Sequence, residues 1–225
     1  MSNSTKIKIC GLTRQQDIEV VNEVLPDDIG FVFWERSKRD ISPEKAADLK
    51  AKLDKRIKAV GVFVDADIDF VYSLIKCGTI DIAQLHGNED EEYIKKLREK
   101  INSGLDSGLD SESDSESVSK TDKESEIRII KAFNVNNLTS FDEVEKSFAD
   151  FVMLDSGKGS GVTFDWDKIQ SFDRPFFLAG GLGVDNVEEV IEKINPYAVD
   201  VSSGVETDGV KDREKIVRFV QNVRG

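Results

Sequence analysis

Side chains that can exchange protons stand at the ends of short apolar runs in this 225-residue sequence. Cys10 ends the run KIKIC, His86 ends DIAQLH, and Asp155 ends FVMLD. General acid–base catalysis needs two such groups, in opposite protonation states, that face one substrate. The sequence therefore contains a candidate acid and a candidate base. The alternative for Cys10 taken alone is a small buried hydrophobic residue.

Cationic and small residues follow other apolar runs. Arg39 follows DIGFVFW and Asp65 follows IKAVGVFV. Two further stretches, LAGGLGVDN and DVSSGVE, contribute Gly180, Gly181, Ser202, Ser203 and Gly204. Glycine lets backbone N–H groups approach an oxyanion closely, and the N-terminus of a following helix favours negative charge. These stretches predict a phosphate site, whereas the alternative is that the glycines only end a strand and turn the chain.

The apolar runs are typical of β-strands because they are short and rich in β-branched and aromatic residues. We predict eight strands, at residues 6–10, 28–34, 57–64, 81–86, 127–133, 151–155, 175–180 and 198–202. Segments of helical spacing lie at 14–24, 43–55, 67–77, 89–99, 137–147, 184–194 and 211–223, with a short turn or partial helix near 165–171. Ser42 and Pro43 are typical of an N-cap and a first helical residue.

Strands that alternate with helices predict an α/β fold with a parallel sheet. Two closures are possible, a doubly wound open sheet and a (β/α)8 TIM barrel. Eight regular repeats favour the barrel, and the first strand lacks the GxGxxG that a dinucleotide-binding sheet would carry after it. We therefore predict a single (β/α)8 barrel domain over residues 1–225. In such a barrel the residues at the carboxyl ends of the strands meet in one site.

One segment interrupts the alternation of strands and helices. Residues 102–126, NSGLDSGLDSESDSESVSKTDKESE, are acidic, of low complexity and nearly free of apolar side chains. Such a segment cannot bury enough surface to offset the entropy of ordering it, so we predict a disordered insertion within the barrel domain. It connects the fourth helix to the fifth strand, away from the carboxyl ends of the strands.

Composition limits the partners and the cofactors. The formal net charge of −13 argues against a general nucleic-acid binder, because phosphate backbones need a basic surface. No apolar run approaches the roughly 20 residues of a membrane helix, and the amino-terminal stretch lacks the apolar region of a secretory signal. Two cysteines and one histidine cannot build a disulfide framework or a His-rich metal site. We expect a cytoplasmic protein, a monomer or a homodimer, without a membrane or nucleic-acid partner.

Five sequence blocks together resemble one known family. These are KICGLTR (8–14), QLHGNE (84–89), LDSGKGSGVTFDW (154–166), LAGGL (178–182) and DVSSGVE (200–206). In this order they resemble the signature blocks of the phosphoribosylanthranilate isomerases of tryptophan biosynthesis. The resemblance implies a (β/α)8 barrel and a cofactor-free Amadori rearrangement of N-(5-phosphoribosyl)anthranilate to 1-(o-carboxyphenylamino)-1-deoxyribulose 5-phosphate. The partner it implies is therefore a small phosphorylated substrate.

The resemblance also implies roles for individual residues. Cys10 would be the base and Asp155 the acid, so that the reactive complex holds a thiolate and a protonated carboxyl. Arg39 would bind the anthranilate carboxylate, and Asp200 would support the sugar hydroxyls or the catalytic geometry. His86 would orient the substrate, or else only bridge strand and loop. Ser160 departs from the glycine pattern of its loop, and Cys77, late in a helical segment, is expected to be inert in the core.

Two other functions stay open at this point. One is a sibling barrel enzyme, such as the related isomerase of histidine biosynthesis or a version that accepts both substrates. That group relies on paired aspartates, whereas this sequence offers Cys10 and Asp155. The other is a barrel without catalysis that binds a partner through its acidic segment. Turnover of the two aminoaldose substrates would separate these possibilities.

Overall fold

Eight parallel strands close into a barrel in the computed structural model, which describes residues 5–106, 127–157, 172 and 174–225. Each strand pairs with the next, and the last pairs with the first. The strands are β1 (Lys6–Cys10), β2 (Asp28–Phe33), β3 (Lys58–Phe63), β4 (Ile82–Leu85), β5 (Arg128–Asn134), β6 (Phe151–Asp155), β7 (Phe176–Ala179) and β8 (Ala198–Val201). The predicted eight strands and their closure are confirmed.

Helices lie between the strands and cover the outside of the barrel. They are α1 (Gln15–Val24), α2 (Pro43–Lys50), α3 (Ile68–Lys76), α4 (Glu91–Asp106), α5 (Asp142–Glu145), α6 (Val187–Ile194) and α7 (Arg213–Arg224). Ser42 caps α2 by accepting a hydrogen bond from the Lys45 N–H, and Pro43 is its first residue, as predicted. Among the described residues, no helix has the length and apolarity needed to cross a membrane.

The strands alternate between two environments. The residues of one face pack into the large core between barrel and helices, as Ile7 and Ile9 of β1 do. The residues of the other face fill the barrel interior, where a second apolar cluster comprises Val60, Ile82, Ile130, Ala132, Met153, Phe177, Ala179 and Ala198. Burial on both faces explains why the strand sequences are nearly continuous in apolar residues.

Three helices differ from the predicted lengths. Helix α2 ends at Lys50, five residues before the predicted end of its segment at residue 55. The predicted helix 137–147 is a single turn, α5, and the guanidinium of Arg174 binds the carbonyls of Val144 and Ser147 at its end, at 3.1 and 2.9 Å. Helix α4 runs to Asp106, five residues into the range 102–126 predicted as a disordered insertion. The rest of that range, and the predicted turn at 165–171, lie outside the described residues.

One element was not predicted. A short antiparallel hairpin, β9 (Glu206–Thr207) and β10 (Val210–Lys211), follows the 3-10 turn Ser203–Val205 at the carboxyl end of β8. Its strands are two residues long, too short to show a periodic pattern in the sequence. The hairpin carries two charged residues, Glu206 and Lys211, to the rim of the barrel.

A buried carboxyl near the amino end of β2 makes stability depend on pH. Burial raises the pKa of Asp28 to about 7, although Lys8 opposes this shift. An aspartate in the unfolded chain titrates near 3.9, so the folded state binds this proton more tightly. The contribution of Asp28 to the free energy of unfolding therefore falls as the pH rises from about 4 to about 7.

We expect Asp28→Asn to raise the free energy of unfolding relative to the natural protein at pH 8, by on the order of 2–4 kcal/mol. At pH 4.5 the variant and the natural protein should differ much less, because the carboxyl is then protonated and resembles the amide. Urea unfolding of both proteins at the two pH values measures this. An equal difference at both values would contradict the assignment.

Candidate active site

The thiol of Cys10 faces the barrel interior. Lys8 and Cys10 alternate with the outward Ile7 and Ile9 along β1, so both point inward. Gly30 of the neighbouring strand makes room for the sulfur, because a Cβ at position 30 would lie 2.7 Å from Cys10 Sγ. The thiol is therefore buried, and its position is fixed by two adjacent strands.

A buried ion pair lies beneath the thiol. Lys8 is fully buried, and its Nζ lies 2.9 Å from Asp200 Oδ1 of β8. Burial alone would lower the pKa of Lys8, but the attraction of Asp200 and Cys10 outweighs it and leaves the pKa raised. Lys8 is thus a cation inside the barrel, next to the candidate base.

Opposing effects act on Cys10. Burial raises the pKa of the thiol, and the Asp200 carboxylate adds to this rise. Lys8 and Lys211 lower it by attraction to the thiolate. The net shift is upward, so these surroundings favour the thiol over the thiolate. Further positive charge, or loss of the charge on Asp200, would favour the thiolate.

The carboxyl of Asp155 belongs to a line of hydrogen bonds inside the barrel. Gln84 Nε2 lies 3.0 Å from His86 Nδ1, and His86 Nε2 lies 3.1 Å from Asp155 Oδ2. The N–H of Gly157 donates to Asp155 Oδ1 at 2.8 Å. Burial alone would raise the pKa of Asp155, but the hydrogen bonds from His86 and Gly157 hold it below the usual value. These surroundings therefore favour the carboxylate over the protonated carboxyl.

The two glycine-rich loops lie against each other. Gly204 packs so closely on the Leu182 carbonyl and Gly183 that a Cβ there would overlap them. Gly180 and Gly181 have φ values of 93° and 65°, which other residues rarely adopt. A Cβ at Gly180 would lie 2.7 Å from Asp155 Oδ1. The predicted phosphate loops are therefore contiguous, and one of them borders the candidate acid.

A charged cluster lies next to Ser202, at the carboxyl end of β8. The Arg39 guanidinium binds Glu206 with two hydrogen bonds of 2.7 Å each. Lys211 is buried and donates to Glu206 at 2.5 Å and to the Ser202 carbonyl at 2.9 Å. Burial alone would raise the pKa of Glu206, but hydrogen bonds from Arg39 and Lys211 hold it low. The Ser202 hydroxyl in turn donates to the Cys10 carbonyl at 3.1 Å.

The predicted site residues therefore gather at one end of the barrel, whereas Asp65 and Cys77 take no part in the arrangement described above. Asp65 accepts hydrogen bonds from the backbone and side chain of Asn88, so it serves a loop. Cys77 was expected in the core, which is wrong: it ends α3 as an exposed residue, with Sγ 3.1 Å from Thr79 Oγ1. Among the described residues no cluster of His, Cys, Asp and Glu is arranged to hold a metal ion.

Sequence reasoning missed several polar residues of the site. Lys8 could have been found, because it stands two positions before Cys10 in a strand and must share its face. Gln84 could have been found in the same way from His86. Glu206 and Lys211 had no such signal, because the hairpin that presents them is too short to recognise.

Comparisons with known proteins agree with this arrangement. The sequence profile of a family described as N-(5'phosphoribosyl)anthranilate (PRA) isomerase matches residues 7–122 and 110–222. The N-(5'-phosphoribosyl)anthranilate isomerase of Endomicrobium trichonymphae is 42% identical over 224 residues, which cover 97% of this chain and 98% of that protein.

Two solved structures extend the similarity to the fold. A phosphoribosyl anthranilate isomerase in complex with reduced 1-(o-carboxyphenylamino)-1-deoxyribulose 5-phosphate has a TM-score of 0.74 and 31% identity, with 98% of this chain and 99% of that chain covered. Monomers generated from the dimeric phosphoribosylanthranilate isomerase of Thermotoga maritima have a TM-score of 0.74 and 29% identity, with coverage of 98% and 99%.

Proposed function

This chain belongs to the N-(5'-phosphoribosyl)anthranilate isomerase family, and we propose that Cys10 and Asp155 perform the two proton transfers of its reaction. The enzyme catalyses the Amadori rearrangement of N-(5-phosphoribosyl)anthranilate in tryptophan biosynthesis. These roles are supported because the Cys10 thiol and the Asp155 carboxyl lie at the same end of the barrel. Each group has its own set of charged neighbours.

The reaction divides into two steps at the sugar. Protonated Asp155 donates its proton to the furanose ring oxygen while the C1′–O bond breaks, which leaves an iminium at C1′. The Cys10 thiolate then removes the proton from C2′, and the resulting enolamine tautomerises to the ketone product. The enzyme ends the cycle as a Cys10 thiol and an Asp155 carboxylate.

That final state is also the state that the surrounding side chains favour, because the pKa of Cys10 is raised and that of Asp155 is lowered. Each turnover must therefore begin with a net transfer of one proton from the thiol to the carboxyl. The substrate helps, since its phosphate at the loops beside Asp155 disfavours the carboxylate. The positive charges of Lys8 and Lys211 stabilise the thiolate that remains on Cys10.

Binding of the substrate needs anion recognition at two ends. The phosphate would bind at the paired loops of Gly180, Gly181, Ser202, Ser203 and Gly204, where glycines allow close approach of the backbone. Arg39 would bind the anthranilate carboxylate, because its planar guanidinium suits bidentate contact. Glu206 holds that guanidinium at the site mouth, and Asp200 fixes Lys8 below.

We expect Arg39→Met to raise KM about 10- to 100-fold, since a hydrogen bond to a charged group contributes about 1.5–3 kcal/mol. The change in kcat should be much smaller, because the carboxylate lies away from the reacting carbons. Steady-state kinetics measures both constants. Arg36→Met is the matched control, because Arg36 is an exposed neighbour in the same loop. An unchanged KM would remove Arg39 from the binding site.

The assay that tests the whole proposal follows the fluorescence of N-(5-phosphoribosyl)anthranilate as the enzyme consumes it. The aminoaldose substrate of the histidine-pathway isomerase is the control substrate. We expect turnover of the first and not of the second, because β1 presents Cys10 where that group relies on an aspartate. Equal turnover of both would assign the chain to the dual-substrate version.

We further propose a homodimer in the cytoplasm. The Thermotoga relative is described as dimeric, and its chain is covered almost entirely by this one. Sedimentation equilibrium of the purified protein tests the stoichiometry. A mass equal to that of one chain at all concentrations would assign a monomer.

A further inference from the structure

Gln84 holds an unusual position in the barrel interior. Its side chain is 1% exposed. Among the described residues, its Oε1 is the only buried side-chain oxygen or nitrogen without a hydrogen-bond partner. Its Nε2 contacts His86 Nδ1 at 3.0 Å and Met153 Sδ at 3.3 Å, and sulfur is a weak acceptor. A buried carbonyl oxygen left unpaired costs free energy, so a native structure keeps one only for a reason.

The amide of Gln84 can satisfy His86 in two ways. With Nε2 toward the ring, Nδ1 must accept, and the neutral ring carries its proton on Nε2. That proton is donated to the Asp155 carboxylate. After a half-turn of the amide, Oε1 faces the ring and Nδ1 must donate. The half-turn leaves the shape of the amide unchanged, because its oxygen and nitrogen are nearly the same size.

The second orientation changes the proton content of His86 and Asp155. With Nδ1 protonated, the ring can accept on Nε2 from a protonated Asp155, or carry a second proton beside an ionised Asp155. In both cases the pair holds one proton more than in the first orientation. The two forms interconvert by one proton transfer across the 3.1 Å bond between His86 and Asp155.

We propose that Gln84 is a positioning residue that turns its amide when substrate binds and thereby lets the His86–Asp155 pair hold the proton destined for the ring oxygen. The proton balance closes. Cys10 gives up one proton as substrate binds and the pair gains one. The pair then delivers one proton to the ring oxygen, and Cys10 takes one from C2′. The turn pairs Oε1 with the Nδ1–H of His86 and moves Nε2 to the position that Oε1 leaves.

This inference rests on the role of Asp155 proposed above, and the sequence offers a direct probe of it. His86 is the only histidine in the chain, so histidine labelled with ¹⁵N gives the two ring nitrogens of one residue. We expect Nδ1 to be unprotonated in the free enzyme. In the presence of saturating inorganic phosphate, which supplies the negative charge of the substrate's phosphate group and has no ring oxygen to protonate, we expect it to be protonated. The same Nδ1 state in both samples would overturn the proposal.

Variants test the link to catalysis. Gln84→Leu should lower kcat about 10-fold or more with little change in KM, as expected when a partner that orients a functional histidine is lost. In Gln84→Glu an ionised carboxylate can only accept, so at a pH where the glutamate is ionised we expect Nδ1 protonated already in the free enzyme and much of kcat recovered. Met153→Leu is the control, because it removes the sulfur contact of Gln84 and leaves His86 untouched.

Two outcomes separate this proposal from the proposed function. If Asp155→Asn retains full activity, the role of Asp155 falls, and this inference falls with it. If Asp155→Asn is inactive but Gln84→Leu keeps the natural kcat and pH profile, only the role of Gln84 is overturned. The NMR comparison uses the natural protein, so it decides the question even where a Gln84 variant does not fold.

Discussion

Replacing Cys10 by alanine is expected to lower kcat by about 10³-fold, within the range that a positioned general base contributes. We expect this loss because, among the described residues of β1, no other side chain occupies the position of the Cys10 thiol and could replace it as the base. Stability should change little, since alanine differs from cysteine by a single buried sulfur atom. Stopped-flow or steady-state fluorescence assays measure kcat, and thermal unfolding measures the stability of the fold.

The second cysteine supplies the matched control for this variant. Cys77 is exposed at the end of α3 and takes no part in the site. Cys77→Ala should therefore keep the natural kcat and KM. If Cys10→Ala turned over the substrate at a near-normal rate, the thiol would not be the base, and Lys8 would be the next group to examine.

Asp155→Asn is expected to lower kcat by about 10²- to 10⁴-fold, because an amide cannot donate the proton that opens the ring. The asparagine keeps the size of the side chain and can still accept from the Gly157 N–H, so the fold should persist. Substrate affinity should hold or improve, since a negative charge beside the phosphate loop is removed. Rapid mixing with excess enzyme separates the ring-opening step from binding.

Asp142→Asn is the control for the loss of one negative charge. Asp142 is an exposed residue of α5 on the outside of the barrel. We expect it to leave kcat unchanged. Equal losses in both variants would show that net charge, and not proton donation, accounts for the effect at Asp155.

Much of the fold could be predicted because parallel strands buried on both faces leave a strong signal. FVMLD and AVGVFV are nearly continuous in apolar residues, and the structure places both in the barrel. The length of α5 could not be predicted. The carbonyls at its end are bound by Arg174, some thirty residues further along the chain, and the local sequence does not reveal such a contact.

The sequence predicts which residues gather in the site, but it does not predict their protonation states. Strand ends identify Cys10, His86 and Asp155 because a barrel brings those ends together. Their protonation depends on neighbours from distant parts of the sequence, such as Asp200 beside Lys8. Their neighbours favour the thiol and the carboxylate, opposite to the protonation states proposed for the reaction, and this could be seen only once burial and hydrogen bonds were known.

The connection between α4 and β5 joins the barrel at the end opposite to the active site. Residues 107–126 hold seven Asp and Glu and two Lys, a net of −5 out of −13 for the whole chain. Strand β5 has seven residues, so its ends lie about 20 Å apart. That exceeds the Debye length of about 8 Å at physiological ionic strength. Charge held at the attachment end of β5 is therefore screened before it reaches a dianionic substrate at the other end.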